Sequence, residues 1–221
     1  MKRSFDALEH DLFDVGVIGG GIQGAAVARE AALRGMKVVL LEARDFASGT
    51  SSRSSKLIHG GLRYLTQYRF GLVRGARQER KLLSKLAPHL ARPVPFVLPM
   101  YDGDPYSPLK VRLGLSIYDL LGNIGGNDRH RMLDSAAAVG TVPALRRDGL
   151  RAAALYHDSQ TDDARLTLEM ILAAAERGAI VLNYAEVHAF LRTPGNGDAG
   201  HMSAEVEDRV TGRKYEVAAR I

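Results

Sequence analysis

The 221-residue sequence predicts an α/β protein built on a doubly wound dinucleotide-binding core. Three observations predict it. A glycine-rich turn joins an apolar run to a helix-like segment near the start. An acid stands at the tip of the next apolar run. Three alternating segments at the far end read as an antiparallel β-meander.

Asp14 to Ile18 reads as a strand, and Gly19-x-Gly21-x-x-Gly24 follows it directly. Ala25 to Leu33 continues as an apolar helix, and Lys37 to Leu41 reads as a second strand ending at Glu42. This is a complete βαβ unit with its fingerprint in the first turn. Gly19 permits the tight turn, Gly21 lets backbone approach a pyrophosphate, and Gly24 lets the helix lie close to the strand. The helix start offers free N–H groups to phosphate oxygens. Glu42 stands where ribose hydroxyls would be accepted, although strand ends often carry a solvated acid.

Further along, Phe70 to Leu90 reads as a helix with Leu72, Val73, Ala76, Leu83 and Leu86 near one face. Its other face carries Arg74, Arg77, Arg80, Lys81 and Lys85, which is either a solvated face or a membrane-surface face. Pro93 and Pro95 end the helical pattern. Phe96 to Tyr101 reads as a strand at a sheet edge, because Pro99 cannot donate to a ladder. Asp102 to Pro105 is a turn, and Ser107-Pro108 opens a helix to about Leu121. Gly122 to Arg131 reads as a polar loop. Leu150 to His157 reads as a strand, and Asp162-Asp163 caps a helix ending near Arg177-Gly178. Ala179 to Tyr184 is strand-like. Val187 to Arg192, Met202 to Val210 and Lys214 to Ile221 alternate, punctuated by Pro194 to Gly197 and Thr211-Gly212.

Composition narrows the function classes. Hydrophobic content of 46% with 25% charged residues is that of an ordinary globular protein. Cys is absent, which removes disulfides, thiolate nucleophiles and Cys-based metal sites, and no metal is expected. The start, Met1 to Asp6, is basic without an apolar stretch behind it, unlike a secretory signal. No apolar run approaches the ~20 residues that span a bilayer. A formal charge of +5 favours anionic partners: a phosphorylated substrate, anionic lipid or nucleic acid. The chain ends at Ile221 inside an apparent strand, which leads us to expect an N-terminal fragment of a longer protein.

A regular nicotinamide-binding domain would place a helix and a third parallel strand after Glu42. Here the chain runs Gly49-Thr50-Ser51-Ser52-Arg53-Ser54-Ser55-Lys56-Leu57-Ile58-His59-Gly60-Gly61-Leu62-Arg63-Tyr64-Leu65. Hydroxyls and exposed N–H groups at Gly49 to Ser52 can line an anion. Gly60 and Gly61 allow backbone to pass close to a planar ring. Arg63 offers a planar fork suited to phosphate or carboxylate.

The string Ser54 to Tyr64, together with Ile18 to Gly24, resembles the FAD-dependent glycerol-3-phosphate dehydrogenase family of D-amino-acid-oxidase-like flavoproteins. The similarity continues at Leu86 to Leu90, Ile117 to Leu121 and Asp162 to Leu166, so it covers nearly the whole chain. The family often has Asn, Gly and Asp where this chain has Gln23, Ala26 and Glu30. The resemblance implies a glutathione-reductase-2 type of Rossmann fold with FAD as cofactor. It implies a FAD-binding domain over 10–93 and 162–221, incomplete at its C-terminal end, and part of a substrate or cap domain over 94–161. It further implies that Gly19, Gly21, Gly24, Thr50, Ser51 and Ser52 hold the pyrophosphate and Glu42 the ribose. Ser55, Lys56, Leu57 and His59 would lie along the flavin, and Val187 would place backbone against adenine. Arg63 and Tyr64 would face the substrate phosphate.

Each of these has a plainer reading: Arg63 as a solvated residue, Tyr64 as core, His59 as structural and Lys56 as a surface charge. By the same resemblance the activity is oxidation of sn-glycerol 3-phosphate to dihydroxyacetone phosphate, with electrons passed to a quinone or another acceptor. The implied location is cytoplasmic, with peripheral attachment to an anionic membrane surface through the basic face and no nucleic acid as partner. The alternatives are an amine or amino-acid oxidase of the same fold, whose carboxylate substrate Arg63 could also bind, or a catalytically inactive nucleotide-binding fragment.

Overall fold

The computed structural model describes residues 3–6, 8, 10–123, 129–193 and 201–221, the side chains of 191–193 excepted. The expected turn at Pro194 to Gly197 lies outside the described residues, as does most of the loop between Gly122 and Arg131. The chain forms two compact units: Met1–Ser55 with Asp162–Ile221, and Lys56–Thr161.

The first unit has three layers. Its middle is a parallel sheet of β2 (Val15–Ile18), β3 (Val38–Glu42) and β8 (Ile180–Asn183), in the order β2-β3-β8. The register sets Val17 beside Leu40 and Leu41 beside Leu182. On β3 the side chains alternate between two buried faces. Val38 and Leu40 pack with α1 (Ile22–Leu33) and α5 (Asp163–Glu176), whereas Val39 and Leu41 pack against the meander. A strand covered on both faces has no polar side to show, so this one reads as an unbroken apolar run. Ala25, Ala28, Ala31 and Ala32 line the inner face of α1, and their small size lets it lie against Ile171 and Ala174 of α5. Asp162 caps α5, its carboxylate accepting from Arg165 N.

The third layer is the expected meander: β9 (Ala185–Thr193), β10 (His201–Asp208) and β11 (Lys214–Ala219), antiparallel throughout. A short β1 (Leu12–Phe13) joins β11 in parallel. Past β11 the chain crosses to the parallel sheet, where Gly16 N donates to Ile221 O at 2.7 Å beside β2.

The second unit is centred on β7 (Leu150–Gln160). β5 (Arg92–Tyr101) pairs along one side of it, and β4 (Leu57–Ile58) and β6 (Arg131–Asp134) pair along the other. Pro93, Pro95 and Pro99 share one parity on β5, the outer strand, so their missing donors fall on the open edge. One apolar cluster joins Met100 and Ala154 to Val73 of α2 (Phe70–Leu86) and to Leu115 and Tyr118 of α3 (Pro108–Leu121). A second joins Leu150 and Ala153 to Ala138 of α4 (Ser135–Thr141). Ser107 caps α3 as expected. The Asp134 cap on α4, with Ala137 N donating at 2.8 Å, marks a helix that the sequence reading left unassigned.

One expectation fails on α2. Leu72 and Leu86 are 49% and 72% exposed, while Arg77 and Arg80 are 2% and 9% exposed. The inward line is Val73, Arg77 and Arg80, spaced i, i+4 and i+7. The supposed basic face therefore divides: Arg74, Lys81 and Lys85 meet solvent, and two arginines point inward.

Candidate cofactor site

In the first unit, the chain leaves β2 at Gly19, whose φ of +106° is open to glycine at little cost. Its N–H donates to Leu41 O at 2.8 Å, which ties the turn to the tip of β3. Gly21 is the extended residue just ahead of α1, and Ala25 N bonds to its carbonyl at 2.9 Å. Gly24 faces back onto the turn. A Cβ there would stand 1.9 Å from Gly19 O. Gly20, between the fingerprint positions, is equally constrained: a Cβ would lie 2.7 Å from Phe46 Cδ1 and 2.9 Å from Glu42 Cβ.

Glu42 reaches into this turn. Its Oε2 accepts from Gly20 N at 2.7 Å and its Oε1 from Arg44 N at 2.8 Å. The acid is thereby held at the glycine loop, half-buried and oriented by two backbone donors. After β3 the chain doubles back, with Ala47 N bonded to Gly20 O. The single turn Thr50–Ser52 then meets the start of α1, where Ser51 Oγ accepts from Ile22 N at 2.9 Å. Ser54 N donates to Asp163 Oδ2, so the acid beside the α5 cap also fixes the serine loop. Gly19, Gly21, Gly24, Glu42 and Ser51 thus form one constellation around a helix N-terminus. Thr50 and Ser52 flank it, and Ser55 is exposed at the end of the loop. Val187 sits elsewhere in this unit, on β9 opposite Val206.

In the second unit, Lys56 has φ +59° and its carbonyl accepts from Thr161 N at 2.9 Å. Leu57 begins β4, and His59 is exposed. Arg63 is exposed on the short 3₁₀ helix Leu62–Gln67. Tyr64 is half-buried and packs on the Val73, Leu115 and Tyr118 cluster. Gly60 and Gly61 do approach planar rings, and these rings belong to the protein. A Cβ on Gly60 would be 2.1 Å from Tyr118 Oη, and one on Gly61 would be 3.0 Å from Tyr64 Cδ2.

This unit also holds buried charges that the sequence reading missed. Asp158 accepts from Arg80 Nη1 at 2.6 Å and from Gly60 N at 3.1 Å. Asp119 accepts from His130 N at 3.0 Å and lies 2.7 Å from His130 Nδ1. The Arg77 guanidinium lies over the Tyr118 ring at 3.8 Å, a cation–π contact. Burial pulls the Arg77 pKa down and pushes the Tyr118 and Tyr156 phenols up. The available signal was a charge at i+4 and i+7 on the line of Val73.

Comparison with known proteins places this geometry. The family described as "FAD dependent oxidoreductase" matches residues 14–219. Aerobic glycerol-3-phosphate dehydrogenase of Staphylococcus aureus (strain USA300) is 39% identical over 213 residues, 96% of this chain and 38% of that protein. The chain therefore spans less than two-fifths of the length of these relatives. The glycerol-3-phosphate dehydrogenase of Bacillus halodurans, solved with FAD, superposes with a TM-score of 0.71 at 31% identity, over 96% of this chain and 34% of that one. L-α-glycerophosphate oxidase from Mycoplasma pneumoniae, with FAD bound, shares the fold at a TM-score of 0.65 and 16% identity, over 88% of this chain and 49% of that one. A three-layer α/β unit, a glycine turn closed by Glu42 and Ser51, and a family match along almost the whole length lead to one conclusion: this chain belongs to the FAD-dependent oxidoreductase family.

Proposed function

We propose that the first unit binds the ADP half of FAD and that the whole protein oxidises sn-glycerol 3-phosphate to dihydroxyacetone phosphate. The carrying observation is the closed constellation of Gly19, Gly21, Gly24, Glu42 and Ser51 in a chain 39% identical to aerobic glycerol-3-phosphate dehydrogenase. The residues fit the cofactor. The α1 start presents backbone N–H groups, Gly24 leaves no side chain between turn and helix, and Ser51 already occupies one helix donor as an oxygen. Glu42 supplies the acceptor expected for a ribose diol, held in place by Gly20 N and Arg44 N. Thr50 and Ser52 add hydroxyls beside the pyrophosphate, and Val187 is assigned to adenine. Ser55, Lys56, Leu57 and His59, which follow in the chain, are assigned to the flavin end.

FAD, when bound, supplies the acceptor for a hydride from the carbinol carbon. The protein's task is to hold that carbon in place. Arg63 binds the substrate phosphate, its exposed guanidinium free to offer a planar pair of donors, and fixes the carbinol's position. Tyr64, which packs on the neighbouring apolar cluster, is assigned with it to the substrate phosphate. A quinone or another acceptor would take the electrons on, and the exposed Arg74, Lys81 and Lys85 favour an anionic membrane surface.

Two measurements test the reading. Flavin analysis of the full-length protein should recover FAD, and recovery of a nicotinamide dinucleotide alone would refute it. In the same protein Arg63→Ala should lower kcat/KM for glycerol 3-phosphate by roughly thirty- to several-thousand-fold, the cost of losing one partner of a charge pair that substrate binding desolvates. Flavin content should hold, and the slow turnover of unphosphorylated glycerol should hardly change. An equal loss for both substrates would make Arg63 structural.

A further inference from the structure

The Lys56–Thr161 unit holds a basic cavity whose lining includes neither Arg63 nor Tyr64. A cavity of about 390 Å³ opens there between α2 and the end of β7. Among the described residues, Arg77, Arg80, Lys81 and Lys85 line it with one carboxylate, Asp158. Four cations and one anion give these described lining side chains a formal charge of +3, histidine not counted. That one carboxylate is already engaged by Arg80 and by Gly60 N.

Arg77 is the decisive residue. It is 2% exposed, and its Nε and Nη1 have no hydrogen-bond acceptor among the described residues. Tyr118 covers one face of the guanidinium, and the backbone at Gly122 comes so close that a Cβ there would be 2.0 Å from Nε. Ring and backbone thus pack against two sides of the guanidinium. His157 Nδ1, on the cavity's other wall, is likewise buried without a partner. A buried cation with unmade hydrogen bonds is costly unless an anion completes it.

We propose that this cavity binds a phosphate group, either inorganic phosphate or the phosphate of a small ester. A dianion with several acceptor oxygens meets the excess positive charge that these side chains bring to the cavity. The inference does not depend on the role given to Arg63.

Titration of the 221-residue chain with inorganic phosphate, at an ionic strength fixed with chloride, tests it. Saturable one-to-one binding is expected by calorimetry. Arg77→Leu should weaken it by more than about thirtyfold. That variant is expected to fold, because it removes a buried cation that makes no ion pair among the described residues. Should it not fold, the exposed pair Lys81→Ala/Lys85→Ala provides the same test, with an expected loss of roughly three- to tenfold. Arg74→Ala, on the solvent side of α2, should bind as before.

Glycerol 3-phosphate titrated into Arg63→Ala identifies the source. Affinity equal to that of inorganic phosphate points to the free ion, and tighter binding points to an ester. The proposal is overturned if neither anion binds saturably, or if binding is unchanged both in Arg77→Leu and in the double lysine variant.

Discussion

Gly24→Ala is the sharpest perturbation of the cofactor cradle. The new methyl carbon would stand 1.9 Å from Gly19 O, where real Cβ contacts essentially never fall below 3.0 Å. The start of α1 must therefore retreat from the turn by at least about 1 Å. Neither partner is a flexible side chain: one is the Gly19 carbonyl, whose own N–H is tied to Leu41 O, and the other is a helix packed on α5. Overpacking of this kind costs about 1–3 kcal/mol. In a chain of this size each kcal/mol lowers Tm by about 2–4 °C, so a fall of roughly 2–12 °C is expected.

The larger effect is on FAD. Displacing a helix N-terminus from a phosphate loses at least one charge-assisted hydrogen bond, about 1.5–3 kcal/mol, or roughly ten- to a hundred-and-fifty-fold in Kd. The assay is quenching of FAD fluorescence on titration with protein, run beside urea melts. Gly75→Ala is the control: it lies inside α2, and nothing stands within 4 Å of its added Cβ. It should gain about 0.5–1 kcal/mol in stability and leave FAD binding alone. If Gly24→Ala binds FAD within threefold of the parent chain and melts within a degree of it, the close packing of turn and helix does not position the cofactor.

Three further outcomes are expected. Asp158→Asn should destabilise by about 3–5 kcal/mol in urea melts, because it leaves Arg80 buried without its counter-ion, and a loss under 1 kcal/mol would deny the pair that role. The Asp208 carboxyl is held well below the usual carboxylate range, first by Arg3 and then by Val210 N and the Thr211 hydroxyl. A depressed folded pKa stabilises above the unfolded value near 4 and is lost as pH falls below it, so acid melts should steepen there and Asp208→Asn should flatten that slope. If the basic residues on the outer side of α2 attach the full-length protein to membranes, anionic liposomes should bind it at low salt and release it at high salt, and indifference at low salt would leave that face merely solvated.

Much of the first unit is legible in the chain itself. Gly19, Gly21 and Gly24 with Glu42 define a βαβ unit because backbone geometry and period alone require those residues at those spacings. The meander and the caps at Ser107 and Asp162 are local in the same sense: strand alternation and a single hydrogen bond decide them. Ser51 is a partial case. Its hydroxyl suggested an anion loop, but only the folded chain brings it to Ile22 N.

The second unit shows where local reading stops. Residues 56–93 pack within it through β4 on β7 and α2 on α3, contacts made across more than seventy positions for Leu57 and Gln160. On α2, periodicity assigned the leucines to the core and the arginines to water. The structure instead turns Arg77 and Arg80 inward, because Asp158 arrives from β7 to accept from Arg80 and Tyr118 arrives from α3 to cover Arg77. Which charges a fold buries depends on residues distant in the chain, and a helix's own sequence does not record which residues those are. Local spacing determined the turn, the strands and the caps of this protein; tertiary structure alone decided which of its charges are solvated and which are held inside.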